Sequence, residues 1–210
     1  MGLMHFGENN TWININSDLI SEYSSIYDTY DIDDEMIEYA LDKNERAHME
    51  YNRRTKTLVV IYNVLNLSRE ESHYDTIPLT FIVRQNQIVT ISNGLNEYII
   101  DQIREELEEN MHWSVFNFLL HSLFAISENY FPVIEKLNKE QQKISKLLRK
   151  KTTKDNLFRL SDLEIEGMYL VSATKQNAVV LEQLKTQQAF KELDDSEREQ
   201  LEDNIIEANQ

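Results

Sequence analysis

The chain sets 37 acidic against 21 basic residues in a length of 210, a formal net charge of −16, and it contains four Gly, two Pro and no Cys. Such a field opposes a nucleic-acid groove or an anionic membrane surface as the main partner. Cations are its natural counterpart, although an acidic surface also serves plain solubility. The missing cysteines exclude a disulfide scaffold and thiolate metal sites, and the scarcity of turn formers predicts a fold dominated by helix.

Residues 1–10 show neither the basic start nor the apolar stretch of a signal peptide, and no run of about 18 apolar residues follows, so no bilayer-spanning segment is expected. TWININ (residues 11–16) alternates apolar and polar side chains, the period of a half-buried strand. Ser17 and Asp18 then offer an N-cap for a helix carrying Leu19, Ile20, Tyr23 and Ile26, and Asp33 caps a second with Met36, Ile37, Ala40 and Leu41. Strands are predicted at residues 48–54, 56–67, 78–85 and 87–93. The second is apolar at consecutive positions, as a strand covered on both faces requires. A tight hairpin turn joins the last two, with Asn86 suited to positive φ.

Beyond Glu97 the pattern turns helical. Leu119, Leu123, Ile126, Tyr130, Val133, Leu137, Gln141, Ile144 and Leu148 step by four or three, a coiled-coil seam with one polar interruption. Pro132 removes an amide donor and crowds the carbonyl of Glu128, which predicts a kink. The polar run at 149–156 reads as a turn, with Asp155 as the next N-cap. A partner helix follows with Leu160, Leu163, Leu170, Leu181 and Leu184 on one stripe, thinned by Gly167, Thr174 and Asn177. The pair makes an antiparallel hairpin. Ser196 and Glu199 form an S-x-x-E capping box for the last helix, whose residues Leu201, Ile205 and Ala208 keep helical spacing. That helix has Glu207 in its last turn, the wrong sign for a C-terminus, and no Gly or Pro stop, so it reads as unfinished.

The fold class is therefore α+β, a mixed α/β part followed by a long antiparallel helical hairpin and a last amphipathic helix. The division falls at 1–112 for the mixed part and 113–210 for the helical part. Catalytic signatures are absent: there is no GxSxG, Walker A, GxGxxG or HExxH, so the chain is not read as an enzyme. His5, His48, His73, His112 and His121 are scattered, and surface or packing roles suit them better than ligation. Aromatics such as Trp113, Phe116, Phe118, Phe124, Tyr130 and Phe131 fit core packing. Acidic clusters at 31–35, 105–109 and 194–203 remain as candidates for a hard divalent ion. One helix cannot close such a site, but two surfaces meeting across a subunit boundary can; alone, each cluster is a solvated face.

TWININ with its two helices, YNRRTKTLVVIYNV, IPLTFIVRQNQIVTISN and above all FLLHSLFAISENYFPVIEKLNKEQQKI resemble the CorA family of magnesium channels in its Gram-positive form, over residues 12–210. The resemblance implies an α/β/α sandwich with a mixed, mostly antiparallel sheet, then the long helical hairpin and the upper part of a stalk helix, as the cytosolic domain of a transporter at the cytoplasmic face of the bacterial plasma membrane. The family's two membrane spans and its Gly-Met-Asn loop are missing here, and the last helix would continue toward them. It further implies a homo-pentamer without nucleic acid, in which Mg²⁺ (or Co²⁺ or Ni²⁺) between protomers holds the pore shut. Asp203 matches the stalk-helix aspartate of that inter-protomer site. The opposing position is Tyr39, a departure from the acidic residue expected there, with Glu38 beside it and Asp42 one turn farther along. Lower on the stalk stand Ile206 and Glu207, of which only Glu207 could ligate. The candidate metal residues are thus Asp203 with Glu38, then Asp42 and Glu207; the alternative is that all four are solvated helix residues. Two other readings stay open: a related zinc transporter of the same architecture, and a metal-independent helical scaffold for protein association.

Overall fold

The computed structural model describes residues 2–21, 24–70, 73–187 and 193–209. Among them six strands build one sheet in the order β1-β2-β6-β5-β4-β3. These are β1 (Gly2–Phe6), β2 (Asn10–Asn16), β3 (His48–Asn52), β4 (Thr57–Glu70), β5 (His73–Arg84) and β6 (Gln87–Ser92). Every pairing is antiparallel except that of β2 with β6. Strands β3 to β6 follow one another by hairpins, so the parallel joint lies where the start of the chain is laid beside its last strand. Side chains pin this joint: the Trp12 indole N–H donates to Thr90 Oγ1 at 3.0 Å, and the Thr90 hydroxyl donates to Asn14 Oδ1 at 2.7 Å.

Helices cover both faces. The short α1 (Ser25–Thr29) and α2 (Asp34–Leu41) lie on one, where Tyr27, Ile32, Met36, Ile37 and Ala40 pack on Ile13, Ile15, Ile82, Val89 and Ile91. The other face carries α3 (Glu97–Glu109), α4 (Val115–Glu128), α5 (Tyr130–Lys150), α6 (Lys154–Thr186) and α7 (Asp195–Ala208). Its core joins Trp12, Val60, Tyr62, Phe81 and Ile88 of the sheet to Ile103, Phe118, Leu123, Leu170, Leu181 and Leu201 of the helices. This is the three-layer α/β/α sandwich that the family resemblance implies, with the helical hairpin that the periodicity predicts. Gly7 closes the joint between β1 and the start of α4. Its φ of +53° suits glycine, its N–H donates to Met111 O at 2.6 Å, and an added Cβ would stand 2.9 Å from Trp113 O.

Several local readings shift, each for a physical reason. Strand β1 had no alternating pattern long enough to be read from the sequence. Instead of one helix after β2, a 3-10 turn at Ser17–Leu19 leads by extended Ile20 to α1, which Ser24 caps. The Ser17 hydroxyl, rather than capping, donates to Ser92 O at 2.9 Å, and Leu19 is 76% exposed. Tyr23 of that predicted helix lies outside the described residues. Asp33 caps α2 as expected, its carboxylate accepting from Met36 N at 2.9 Å. The β5–β6 turn is tight, but positive φ occurs at Asp31 and Lys56 and not at Asn86. The seam through 119–148 is buried as far as Ile144, apart from exposed Gln141, and it breaks at Asn129 between α4 and α5, one turn before Pro132. Phe131, predicted for the core, is 62% exposed.

Caps shift as well. Thr153 caps α6, accepting from Asn156 N, which leaves Asp155 in the first turn. The α7 capping box is Asp194 with Glu197, not Ser196 with Glu199. Glu197 wins because the Ser114 hydroxyl, the N-cap of α4, also donates to it, so one carboxylate ties two helix starts together.

The α6 stripe holds the main surprise. Its buried face is Glu166, Leu170, Ala173, Asn177, Leu181 and Leu184, so Asn177 is no gap in the stripe. Asn63 of β4 lies two residues past Ile61, which pairs with the first residue of β3, so the N–H and C=O that it turns away from β5 meet no strand. Asn177 takes the place of that strand: its Oδ1 accepts from Asn63 N at 2.8 Å and its Nδ2 donates to Asn63 O at 2.9 Å. The Tyr130 hydroxyl adds a second donor to Asn63 O at 2.9 Å, and Asn96 Nδ2 donates to Pro78 O at 3.2 Å. Eleven residues earlier on the same face, Glu166 accepts from Tyr74 N of β5 at 2.8 Å.

Asn177→Ala leaves the Asn63 amide buried without that acceptor, and is expected to lower unfolding free energy by about 2–3 kcal/mol in a urea titration. His121, half-buried and stacked on Trp113 with ring centroids 4.1 Å apart, has its pKa lowered by burial from the ordinary 6.5. In the window between the lowered folded value and the unfolded value, the unfolded chain binds the extra proton. Stability from this group is therefore present above about pH 6.5 and falls as the pH drops through the folded value. Melting temperature followed from about pH 7 to pH 5 should fall less steeply in His121→Phe, which keeps the stack and does not titrate.

Candidate metal site

Helix α7 is held on one side only. Leu201 and Asn204 are buried, Ile205 and Ala208 pack partly against the same core, and Asn204 Nδ2 donates to Leu120 O of α4 at 2.7 Å. The 3.6-residue period then fixes what faces outward. Asp203 is exposed, and Ile206 is 58% exposed. Glu207 stands one turn beyond Asp203, half-buried at the rim of a cleft of about 330 Å³ that α7 shares with Phe131 and Ile134 of α5 and Thr174 and Asn177 of α6. Glu202, next to Asp203, is paired with Lys185 at 3.3 Å. Two carboxylates at i, i+4 repel one another, so Asp203 and Glu207 form an edge that a cation relieves.

Helix α2 presents a second acidic edge. Asp34 and Glu35 occupy its first turn, favourably placed on the dipole; Glu38 is exposed at its middle and Asp42 is its C-cap. The Asp42 amide closes the helix on Glu38 O, while its carboxylate accepts from Asn44 N at 2.8 Å. Tyr39 lies between these groups. Its hydroxyl is 3.0 Å from Glu35 Oε1 and 3.3 Å from Glu50 Oε1 of β3, and the His48 ring meets it edge-on at 5.0 Å. The hydrogen bond to Glu35, with lesser contributions from desolvation and the two carboxylate charges, pushes the Tyr39 pKa up to about 12. At neutral pH the residue is a neutral donor and supplies no negative charge.

The sheet separates the two edges. Glu38 and Asp42 ride on the helix layer packed over Ile82 and Val89, Asp203 and Glu207 on the opposite layer. Among the described residues no group of three or more His, Cys, Asp or Glu side chains could hold a metal ion. The chain thus brings Glu38 near Asp42, and Asp203 near Glu207, but does not bring the two pairs together. Glu50, which joins the α2 edge through Tyr39, was not a sequence candidate; it sits on a strand eleven residues away, and only the fold of β3 against α2 delivers it.

The chain matches the family model described as CorA-like Mg2+ transporter protein over residues 7–210. No curated protein matches it in sequence. Among solved structures it resembles the complete CorA magnesium transporter of Methanocaldococcus jannaschii, with a TM-score of 0.81 and 17% identity, covering 100% of this chain and 66% of that one. The soluble domain of CorA from the same organism gives 0.78 and 19%, covering 96% of this chain and 80% of that one. The cytoplasmic domain of ZntB from Vibrio parahaemolyticus gives 0.68 and 10%, covering 96% and 84%. At these identities the likeness is one of fold, and the chain spans about two thirds of the complete transporter. Among the described residues no helix is long and apolar enough to cross a membrane. The family match spans nearly the whole length, with the sandwich and hairpin to go with it, and on that ground the chain belongs to the CorA-like Mg²⁺ transporter family.

Proposed function

We propose that this chain is the cytosolic, Mg²⁺-sensing part of a divalent-cation channel that admits Mg²⁺ through the bacterial plasma membrane. Residues 1–112 serve as its α/β portion and 113–210 as the hairpin and stalk. The observation that carries this reading is the separation of the two carboxylate edges on opposite layers of one protomer. Because the edges lie on opposite layers, a two-fold contact made through either layer alone would oppose that layer's edge to itself. Only a head-to-tail contact sets α2 of one copy against α7 of the next, and such a contact closes into a ring when its rotation closes. A ring of this kind suits a pore, and the pentamer is its form in this proposal.

Across each contact Glu38 and Asp42 would oppose Asp203 and Glu207. Without a cation the edges repel; a divalent ion between them reverses the sign. Mg²⁺ is bound by few carboxylates and keeps most of its water, so a weak site follows the cellular level of the ion. Occupied contacts hold the ring together and the pore shut; emptied contacts let protomers move apart. Tyr39, a neutral donor here, leaves the charge to Glu38 beside it. The likeness to ZntB raises zinc as a second cargo, but the four candidate ligands are all carboxylate oxygens, which suit a hard ion better than zinc.

Asp203→Ala in the full-length channel should need about tenfold more cytosolic Mg²⁺ for closure, and currents that shut at the wild-type level would refute the assignment. For the 210-residue chain alone, isothermal titration should show Mg²⁺ binding in the millimolar range that Asp203→Ala weakens; silence up to tens of millimolar would favour the metal-independent scaffold. Sedimentation should find the same fragment monomeric or weakly associated, and a tight pentamer without metal would contradict a cation-dependent contact.

A further inference from the structure

The net charge conceals a basic spur. Residues 136–159 hold nine of the chain's 21 basic residues and two acidic ones, Glu140 and Asp155, so the rest of the molecule carries more than the whole negative excess. Lys136, Lys139, Lys143, Lys146 and Lys150 step by three and four down one face of α5. Arg149, Lys151, Lys154 and Arg159 surround the turn into α6, and all nine side chains are exposed. Among the described residues the one ion pair made by this stretch is Lys139 with Glu135, at 2.8 Å.

The same end of the hairpin is apolar. Phe158 is 68% exposed, Leu157 48% and Leu147 40%. Ile144 is the last buried residue of α5 and Glu166 the first of α6. Leu163 is half-buried against the core, so some nine residues of α6, roughly 14 Å of helix, lie beyond the last side chain that reaches it. A solubilising tip would carry charge without large hydrophobes, and an intramolecular contact would bury them. Basic side chains ringed around exposed Phe and Leu instead match a lipid interface, where the cations meet anionic headgroups and the hydrophobes enter the acyl boundary.

We propose that the α5–α6 tip is a membrane-surface docking site for anionic phospholipid, with Lys150, Lys151 and Lys154 as the headgroup contacts and Leu157 and Phe158 as the inserted anchor. The acidic body, repelled by the same surface, then stands away from it, which orients the hairpin end-on. None of Glu38, Asp42, Asp203 or Glu207 lies in this segment, so the proposal is separable from Mg²⁺ sensing. Nucleic acid shares the electrostatic requirement, but it offers no apolar layer for Leu147, Leu157 and Phe158.

The test is flotation of the 210-residue chain with vesicles, either phosphatidylcholine alone or with about a third phosphatidylglycerol. Binding should occur to the anionic vesicles, weaken with salt, and be absent with phosphatidylcholine alone. At about fivefold per basic residue, the triple variant Lys150→Glu, Lys151→Glu, Lys154→Glu should bind at least about a hundredfold more weakly, and Phe158→Ser several-fold more weakly at unchanged salt dependence. All four positions are exposed, and circular dichroism confirms that the variants fold. Equal binding by wild type and triple variant would overturn the proposal. So would tighter binding to a duplex RNA oligonucleotide than to the vesicles, or lipid-free self-association that the triple variant abolishes.

Discussion

The two backbone groups of Asn63, buried where β3 stops short beside β4, are the constraint on which the architecture turns. A buried amide and carbonyl left unpaired would each cost on the order of 1–3 kcal/mol. The chain answers with side chains from two helices: Asn177 of α6 takes both polar groups of Asn63 and the Tyr130 hydroxyl of α5 reinforces the carbonyl, while Asn96, the residue that precedes α3, donates to Pro78 O on the far side of β5. The open edge of the sheet thereby becomes its attachment point. Because Glu166 repeats the device on Tyr74 three turns earlier, α6 is fastened to the sheet at two places along one face, with Leu170 and Ala173 packed between them.

Fixing α6 in this way settles what the rest of the helical layer can do. Helix α5 starts against the same residue, Asn63, and runs out beside α6, so the hairpin departs from the body in a defined direction with its basic and apolar tip free. Helix α7 lies against α4 and α6, its start tied to α4 through Ser114 and Glu197 and its middle through Asn204. These polar contacts are directional where hydrophobic burial is not, and they fix the rotation of α7 about its axis. That rotation is what sends Asp203 outward and Glu207 to the cleft.

Charge is distributed to match. The acidic surplus lies on α2, on α7 and over the body, while the hairpin tip has the opposite sign. A net charge averages over these regions and describes none of them. In the proposed ring the acidic edges face their neighbours, where a divalent ion controls the contact, and the basic tip faces lipid. The two proposed devices would use the same electrostatics in opposite senses, on separate parts of the molecule.

Much of this was legible in the order of residues. Strands β2 to β6, helix α2 with its Asp33 cap, the seam from Leu119 toward Leu148 and the amphipathic α7 follow from local periodicity, which depends on neighbours in the chain alone. The resemblance carried by FLLHSLFAISENYFPVIEKLNKEQQKI named the family that the match over 7–210 bears out. Asp203, Glu207, Glu38 and Asp42 were singled out by that resemblance and not by periodicity; in the structure Asp203, Glu38 and Asp42 are exposed and Glu207 is half-buried. What the sequence could not contain is any relation across space. Whether Glu197 or Glu199 closes the capping box was decided by Ser114, 83 residues away. Asn177 looked like a gap until the strand it serves came alongside, and Glu50 joined Tyr39 only through the fold of a hairpin. Periodicity reports which face of a helix is apolar; only the packed structure reports what that face meets, because the partner comes from a distant part of the chain.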